Sequence, residues 1–435
     1  MSKHAHKVKK RLNSIIGQMA KNPAKNIRNP KKDFTRKRKL SFNETVNFLL
    51  SMGAKSLSSE LLEHFDYSVE TPTASALSQQ RSKISKNALP FLFRKFTDST
   101  ENLRTFKGYR LLAADGSALD IFRNPDDSET FRIQVDKKGY NQLHLNAFYD
   151  LCNNLYTDVT IQPLNLKDEY RALVDMVDKS NHPKKTIFIG DRGYESYNVF
   201  AHIEQKGHKY LIRSKDVNSN GMASALNLPK TDEFDVVVGF NLTRKQTNEV
   251  KMRPDIYKFL PSKSTFDYIK PKSDVVYPIS FRVVRFSIGD GKHQTIITNL
   301  DKSAFPPSVI KELYQMRWGI ETSFCELKYT IGLSHLHAKK ADFVEQEIFA
   351  RLIMYNFCQM IVLQVIIKQN QTKHAYQANF SMAVQVCKMF FKYAGKSPPD
   401  VEVLIQKYIL PVRKNRTNAR NISAKGFISF VYRVA

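Results

Sequence analysis

The spacing of apolar residues changes character several times along the chain. Between 41 and 105 they recur at steps of three and four. Ser41 reads as an N-cap before a helix over Asn43–Ser51, followed by helices over Leu57–Phe65, Thr73–Ile84 and Ala88–Phe96. From Tyr109 short apolar runs take over. Tyr109–Ala114 predicts a strand, and Leu143–Tyr149 with Tyr156–Gln162 predicts a hairpin around the turn-prone Asp150-Leu-Cys-Asn-Asn. A helix over Asp168–Lys179, a buried strand over Thr186–Ile189, a helix from Ser196 to Gln205 and a strand over Tyr210–Arg213 follow. An early hairpin followed by strand–helix alternation predicts a mixed α/β sheet. Residues 214–301 return to strand-like runs, Val236–Phe240, Val250–Arg253, Val275–Phe286 and Gln294–Thr298, and read as a β-rich insertion. Two long helices are then expected, from Ser308 to Tyr329 and over Phe343–Lys368. The most apolar stretch, Ile348 to Ile367, contains Arg351, Asn356, Gln359 and Gln364, so it reads as a buried helix and no membrane span is expected.

Charge sharpens this picture. The 435 residues include 68 Lys or Arg against 41 Asp or Glu, a formal net charge of +27. Such an excess points to a polyanionic partner, with nucleic acid ahead of an anionic membrane surface. Residues 1–40 hold fourteen of the cations and a single acid, Asp33, and read as a basic flexible arm. Beyond Val403 there are seven Lys or Arg and no acid, among them Arg413, Arg416 and Arg420, which read equally as contacts to phosphate or to a partner's DNA and as a solvated tail. The short helices of 41–105 and the polar third one, with Gln79, Gln80, Arg81 and Lys83, suit a helix-turn-helix-like DNA-binding module, with Arg81 and Lys83 as phosphate ligands. Cys152, Cys325, Cys358 and Cys387 lie far apart with no CxxC pair, which excludes a paired-thiol zinc site and points to a reducing, intracellular setting.

Three features carry candidate chemistry. Leu111-Leu-Ala-Ala-Asp115-Gly-Ser117 and Ile187-Phe-Ile-Gly-Asp191-Arg-Gly-Tyr194 each bring an aspartate to the end of an apolar strand. Open α/β sheets bind ligands at such edges, and hard cations such as Mg²⁺ take oxygen ligands there. Asp-Gly is also a common turn pair. The helix from Ser308 places Tyr314, Arg317, Glu321 and Lys328 within an arc of roughly 60°, so a phenol, a guanidinium, a carboxylate and an ammonium share one face. A salt-bridged surface helix accounts for Arg317 and Glu321 at i, i+4, but not for Tyr314 and Lys328 in line with them.

Tyr314-x2-Arg317-x3-Glu321-x6-Lys328 resembles the Tyr-Arg-Glu-Lys signature of the IS-four family of bacterial insertion-sequence transposases. Asp115-Gly-Ser and Asp191-Arg-Gly-Tyr resemble that family's two catalytic aspartate motifs, in the same order. The resemblance implies a ribonuclease H-like core with an Asp115, Asp191, Glu321 triad, interrupted by a β-rich insertion and preceded by a helical N-terminal DNA-binding region. The implied organisation is an arm over 1–40, a DNA-binding region over 41–105, core over 106–213 and 302–370, an insertion over 214–301 and a basic C-terminal region over 371–435. The three acids would hold two Mg²⁺ (Mn²⁺ as a substitute) for cleavage of double-stranded DNA at the element's inverted repeats and transfer of the freed 3′-hydroxyl. Tyr314, Arg317 and Lys328, with Arg192 beside Asp191, would hold phosphates. A homodimer pairing two ends, in the bacterial cytoplasm and nucleoid, is implied as well.

Other residues read less specifically. Asp150 suits a hairpin turn better than a supporting ligand. Trp318 reads as a packing residue. His335-x-His337 has a chelating look but no thiols nearby. A nuclease of the same fold that only hydrolyses DNA, and an inactive DNA-binding regulator, are the competing functions.

Overall fold

The computed structural model describes residues 3–134, 137–183, 185–368, 375–393 and 400–412. Six helices come first: α1 (Lys3–Lys21), α2 (Pro23–Asn26), α3 (Phe42–Ser51), α4 (Leu57–His64), α5 (Ala74–Arg81) and α6 (Ala88–Asp98). The caps lie in the sequence: Ser41 accepts from the Glu44 N–H at 3.2 Å and Thr73 from the Ala76 N–H at 3.1 Å.

The strands β1 (Arg110–Ile121), β2 (Phe131–Gln134), β3 (Lys137–Asp150) and β4 (Leu155–Pro163) are antiparallel neighbours. Next come α7 (Glu169–Lys179), β5 (Thr186–Gly190), α8 (Tyr197–Gln205) and β6 (Lys209–Ser214). β5 runs parallel to both β1 and β6, and the crossover helices α7 and α8 cover one face. Asp150 belongs to the β3–β4 turn: it is fully buried, accepts from Arg110 Nε at 2.7 Å and receives the Cys152 and Asn153 N–H groups.

The β-rich stretch comprises β7 (Phe234–Thr243), α9 (Asn248–Met252), β8 (Tyr257–Phe259), β9 (Val276–Gly289) and β10 (Lys292–Thr298). It does not stand apart. β10 pairs with β6 from Thr295↔Ser214 to Thr298↔Leu211, so the sheet continues as β6-β10-β9-β7-β8. The run at Val250 is helical rather than a strand, because Thr247 caps it by accepting from the Val250 N–H at 3.2 Å.

The chain returns as α10 (Pro307–Met316), α11 (Trp318–Cys325), a wider π turn over Glu326–Ile331, α12 (Ala341–Val362), β11 (Ala375–Ala378), α13 (Phe380–Lys392), α14 (Val401–Lys407) and β12 (Ile409–Val412). Alternate residues of the sheet feed two apolar layers. Leu111, Ala113 and Ala147 pack with α10 to α13 and the N-terminal helices, while Leu112, Ala114 and Phe148 pack with α7 and α8. Much of the expected basic C-terminal region thus lies in the core through Val384, Cys387 and Phe390. No helix among the described residues is long and apolar enough to cross a membrane, and the four cysteines are free.

The reading of residues 1–40 as a flexible arm is corrected. Ala5, Val8, Leu12, Ile16 and Met19 form a helical stripe, all buried, and α1 packs against α6 and α12. Two of its cations reach the carboxyl ends of other helices. Arg11 Nη1 donates to Ser99 O (2.5 Å) after α6, and Lys9 Nζ donates to Phe390 O (2.8 Å) and Tyr393 O (2.7 Å) at the end of α13. His4 Nε2 lies 3.0 Å from Met360 O of α12. Such carbonyls have no partner inside their own helix, and the helix dipole favours a cation there.

A second N-terminal expectation also changes. Arg81 is 2% exposed and pairs with the fully buried Glu347 (Nη1–Oε1 2.9 Å), bonds Gln346 and stacks on Phe343. Glu347 also accepts from the His337 N–H at 2.7 Å, and Arg351 donates to Met52 O and Gly53 O. Arg81 is therefore an anchor between α5 and α12, out of reach of phosphate. Lys83 is half-buried and donates to Gln80 Oε1 at 3.0 Å.

Leu12→Ala empties a fully buried site and should cost about 2–5 kcal/mol in a denaturant melt; in a solvated arm it would cost nothing. Glu347→Gln leaves buried guanidinium groups without their counter-charge and should cost about 3–5 kcal/mol at neutral pH. Burial pushes the Glu347 carboxyl up, but Arg81, His337 and Arg351 outweigh it and hold it at about 2. A depressed carboxyl stabilises the fold above its unfolded pKa, about 4.3, and that contribution fades as pH falls toward 2. The difference in Tm between wild type and Glu347→Gln should therefore shrink below about pH 4; a gap independent of pH would assign the loss to packing.

Candidate active site

Asp115 lies within β1 rather than at its end, because β1 keeps its pairing with β3 as far as Ile121↔Asn141. What stops is the other neighbour: the parallel ladder with β5 ends at Ala113↔Ile189. Asp115 and Asp191 each come two residues after that last pair, so both carboxylates sit where the two strands separate. Asp191 turns the chain by accepting from the Gly193 N–H at 2.7 Å, and Asp115 accepts from the Gly116 N–H at 2.8 Å. Following Leu111 and Ala113, Asp115 is on the face of the sheet that α10 and α11 cover.

Glu321 is delivered by α11. Helix bonding tightens at Arg317, whose N–H donates to Tyr314 O (3.1 Å) and whose carbonyl accepts from the Ile320 N–H (3.1 Å). From there the Arg317 guanidinium reaches two carboxylates: Nη2 lies 2.5 Å from Glu321 Oε1 and Nη1 lies 3.5 Å from Asp115 Oδ2. Burial pushes the Asp115 carboxyl up to about 6; the Gly116 N–H and Arg317 oppose this, while the charges of Asp191 and Glu321 add to it. Asp115 therefore feels the other two acids, and the Arg317 guanidinium lies between it and Glu321. With Arg317 between Asp115 and Glu321, no three His, Cys, Asp or Glu side chains among the described residues are grouped to enclose a metal ion.

The other signature residues surround this group. Tyr314 is buried beneath Arg317, ring to guanidinium 5.8 Å, and its hydroxyl has no hydrogen-bond partner among the described residues. Lys328, in the π turn, donates to Ala118 O of β1 at 2.7 Å and so ties the helix to the strand that carries Asp115. Arg192 is exposed beside Asp191. Trp318 corrects the packing expectation: it is 54% exposed, next to Arg317 on the outer face of α11. His337 serves Glu347 and Lys55 O and does not form a chelate with His335. Arg413, Arg416 and Arg420 lie outside the described residues.

Several neighbours escape sequence reasoning. Tyr194 is buried within electrostatic reach of Asp115, Glu169, Asp191 and Arg317. Arg213, the last cation of β6, acts on Tyr314 in the same way. On the opposite face of β1, His144 Nε2 lies 2.8 Å from Glu169 Oε1, and this contact, with Lys167, holds the Glu169 carboxyl down at about 2. A Cβ at Gly116 would sit 2.2 Å from His144 Nε2, so the glycine after Asp115 is the space that the imidazole occupies. Only the Tyr of Asp-Arg-Gly-Tyr had a sequence signal; His144 and Glu169 share no spacing that would join them.

The transposase DDE domain family matches residues 106–357. A segment of 149 residues is 30% identical to the transposase InsG for insertion sequence element IS4 of Escherichia coli (strain K12), covering 31% of this chain and 33% of that protein. The chain thus aligns with about a third of the length of this relative. A piggyBac transposase synaptic complex with hairpin DNA superposes with a TM-score of 0.43 at 11% identity, over 96% of this chain and 84% of that one. The family match spans more than half of the chain and encloses all three acids, and the protein is a member of the transposase DDE domain family.

Proposed function

We propose that this chain is the transposase of an insertion sequence. It binds the inverted-repeat ends as double-stranded DNA, cleaves them with the help of divalent cations and joins the freed 3′-hydroxyl to a target. What supports this reading is the Arg317 guanidinium between Asp115 and Glu321, with Asp191 in electrostatic reach of Asp115, at the point where β1 and β5 part. The antiparallel trio β4-β3-β1 continued by parallel β5 and β6 supports a ribonuclease H-like core.

The donor set suits hard cations. Asp191 and Glu321 both lie within electrostatic reach of Asp115, and oxygen donors of this kind match what a hard cation takes. Asp115, Asp191 and Glu321 would hold Mg²⁺, or Mn²⁺ in its place, as two ions. When bound, such a pair supplies charge neutralisation at the scissile phosphodiester. The remaining work falls to the chain itself. Arg317 is a fixed cation beside the carboxylates and binds a phosphate oxygen in the plane of its guanidinium. Tyr314, its hydroxyl buried, supports the Arg317 guanidinium from below. Arg192 reaches a flanking phosphate, and Lys328 keeps α11 in register with β1. Positioning and charge of this kind account for most of the catalysis in phosphoryl transfer. Two copies pairing two element ends, within the bacterial nucleoid, complete the proposal.

Glu321→Gln should reduce cleavage of an element-end duplex to background while binding in a gel-shift assay stays unchanged. Retained metal-dependent cleavage would remove Glu321 from the site, and hydrolysis without joining of a 3′-hydroxyl end would identify a nuclease instead. Gly116→Ala should cost about 1–3 kcal/mol by overpacking and slow cleavage, and the second change His144→Ala should restore both.

A further inference from the structure

The connection between α2 and α3 carries Lys31, Lys32, Arg36, Lys37 and Arg38, all exposed. None has a side-chain partner among the described residues, whereas the next cation, Lys39, is held by Glu70. Blocks of like charge are ordinarily unstructured, yet this one is pinned at both ends. Asn29 O accepts from the Lys32 N–H (2.9 Å) and the Asp33 N–H (2.8 Å), and Asp33, the segment's one acid, accepts from the Asn29 N–H (3.2 Å). The Arg28 N–H donates to Lys83 O at 2.8 Å, and Arg28 Nη2 lies 2.6 Å from Asp342 Oδ2. Phe34 packs edge-on against Phe42 at 5.7 Å, with Lys83 Nζ 5.8 Å from its ring centre. Leu40 closes the segment in the core.

We propose that residues 31–38 form a preformed grip on the phosphate backbone of duplex DNA, resting on the transposase reading and replacing Arg81 as the N-terminal contact. Five cation tips on a fixed backbone repel one another without return unless a polyanion lies across them. Because the backbone is already ordered, little conformational entropy is lost on binding. Lysine and arginine tips of this kind meet phosphates, so the contact positions DNA without reading its sequence.

The test compares wild type with the variant carrying Lys31→Gln, Lys32→Gln, Arg36→Gln, Lys37→Gln and Arg38→Gln, on an element-end duplex and on an unrelated duplex of equal length. Each neutralised phosphate contributes about 0.9 to the slope of log K against log salt. With about three to five phosphates no longer neutralised, the slope should become shallower by about 2.7–4.5, so the fall in affinity between 50 and 200 mM salt shrinks by about 40- to 500-fold. The weakening should be equal on both duplexes. The charge-keeping variant Lys31→Arg, Lys32→Arg, Lys37→Arg should bind like wild type, and all three proteins should melt alike. An unchanged slope in the five-fold variant, or a weakening confined to the element end, would overturn the proposal while leaving the transposase reading intact. Wild-type protein that fails to bind either duplex at 50 mM salt would sink that reading and this proposal with it.

Discussion

Parallel pairing of β1 with β5 ends at Ala113 and Ile189, while β1 continues along β3 for eight more residues. That single mismatch in ladder length opens the sheet between two neighbouring strands, and the acidic site follows from it. A carboxylate placed just past the last shared rung is half-shielded by the sheet but not enclosed. Asp115 and Asp191 occupy those positions on their respective strands. Their mutual repulsion is tolerated because α11 crosses the opening with Arg317 ahead of Glu321.

The helix that closes the opening is irregular where it needs to be. It tightens at Arg317 and widens over Glu326–Ile331, so its two halves are rotated relative to a uniform helix. The wide turn brings Lys328 to the β1 backbone and Glu326 to the Tyr355 hydroxyl (2.9 Å) of α12. Local irregularities of this kind are common at functional positions. The site is thus braced by β1 on one side and by the buried α12 on the other, and α12 is itself held by Arg81 through Glu347.

Much of this was legible in the residues. The two aspartate motifs, the helix face from Tyr314 to Lys328 and the cap Ser41 depend on short-range patterns, which sequence preserves. Arg81 did not read correctly, because its partner Glu347 is 266 positions away and nothing local distinguishes a buried guanidinium from a solvated one. Asp115 reads as a strand end, since only the partner strand reveals which of two ladders stops. The stripe Ala5, Val8, Leu12, Ile16, Met19 was present but masked by interleaved lysines. The β-rich stretch read as separate because joining it to β6 requires the Thr298↔Leu211 pairing, which no composition encodes.

The seating of α1 also has a bearing on biosynthesis. Its His4 and Lys9 side chains meet Met360 O and Phe390 O, 356 and 381 positions downstream. The amino-terminal helix leaves the ribosome, amphipathic and positively charged, long before α12 and α13 have been translated. Its seat against α6 can form early, but the contacts with α12 and α13 complete its docking only late in maturation.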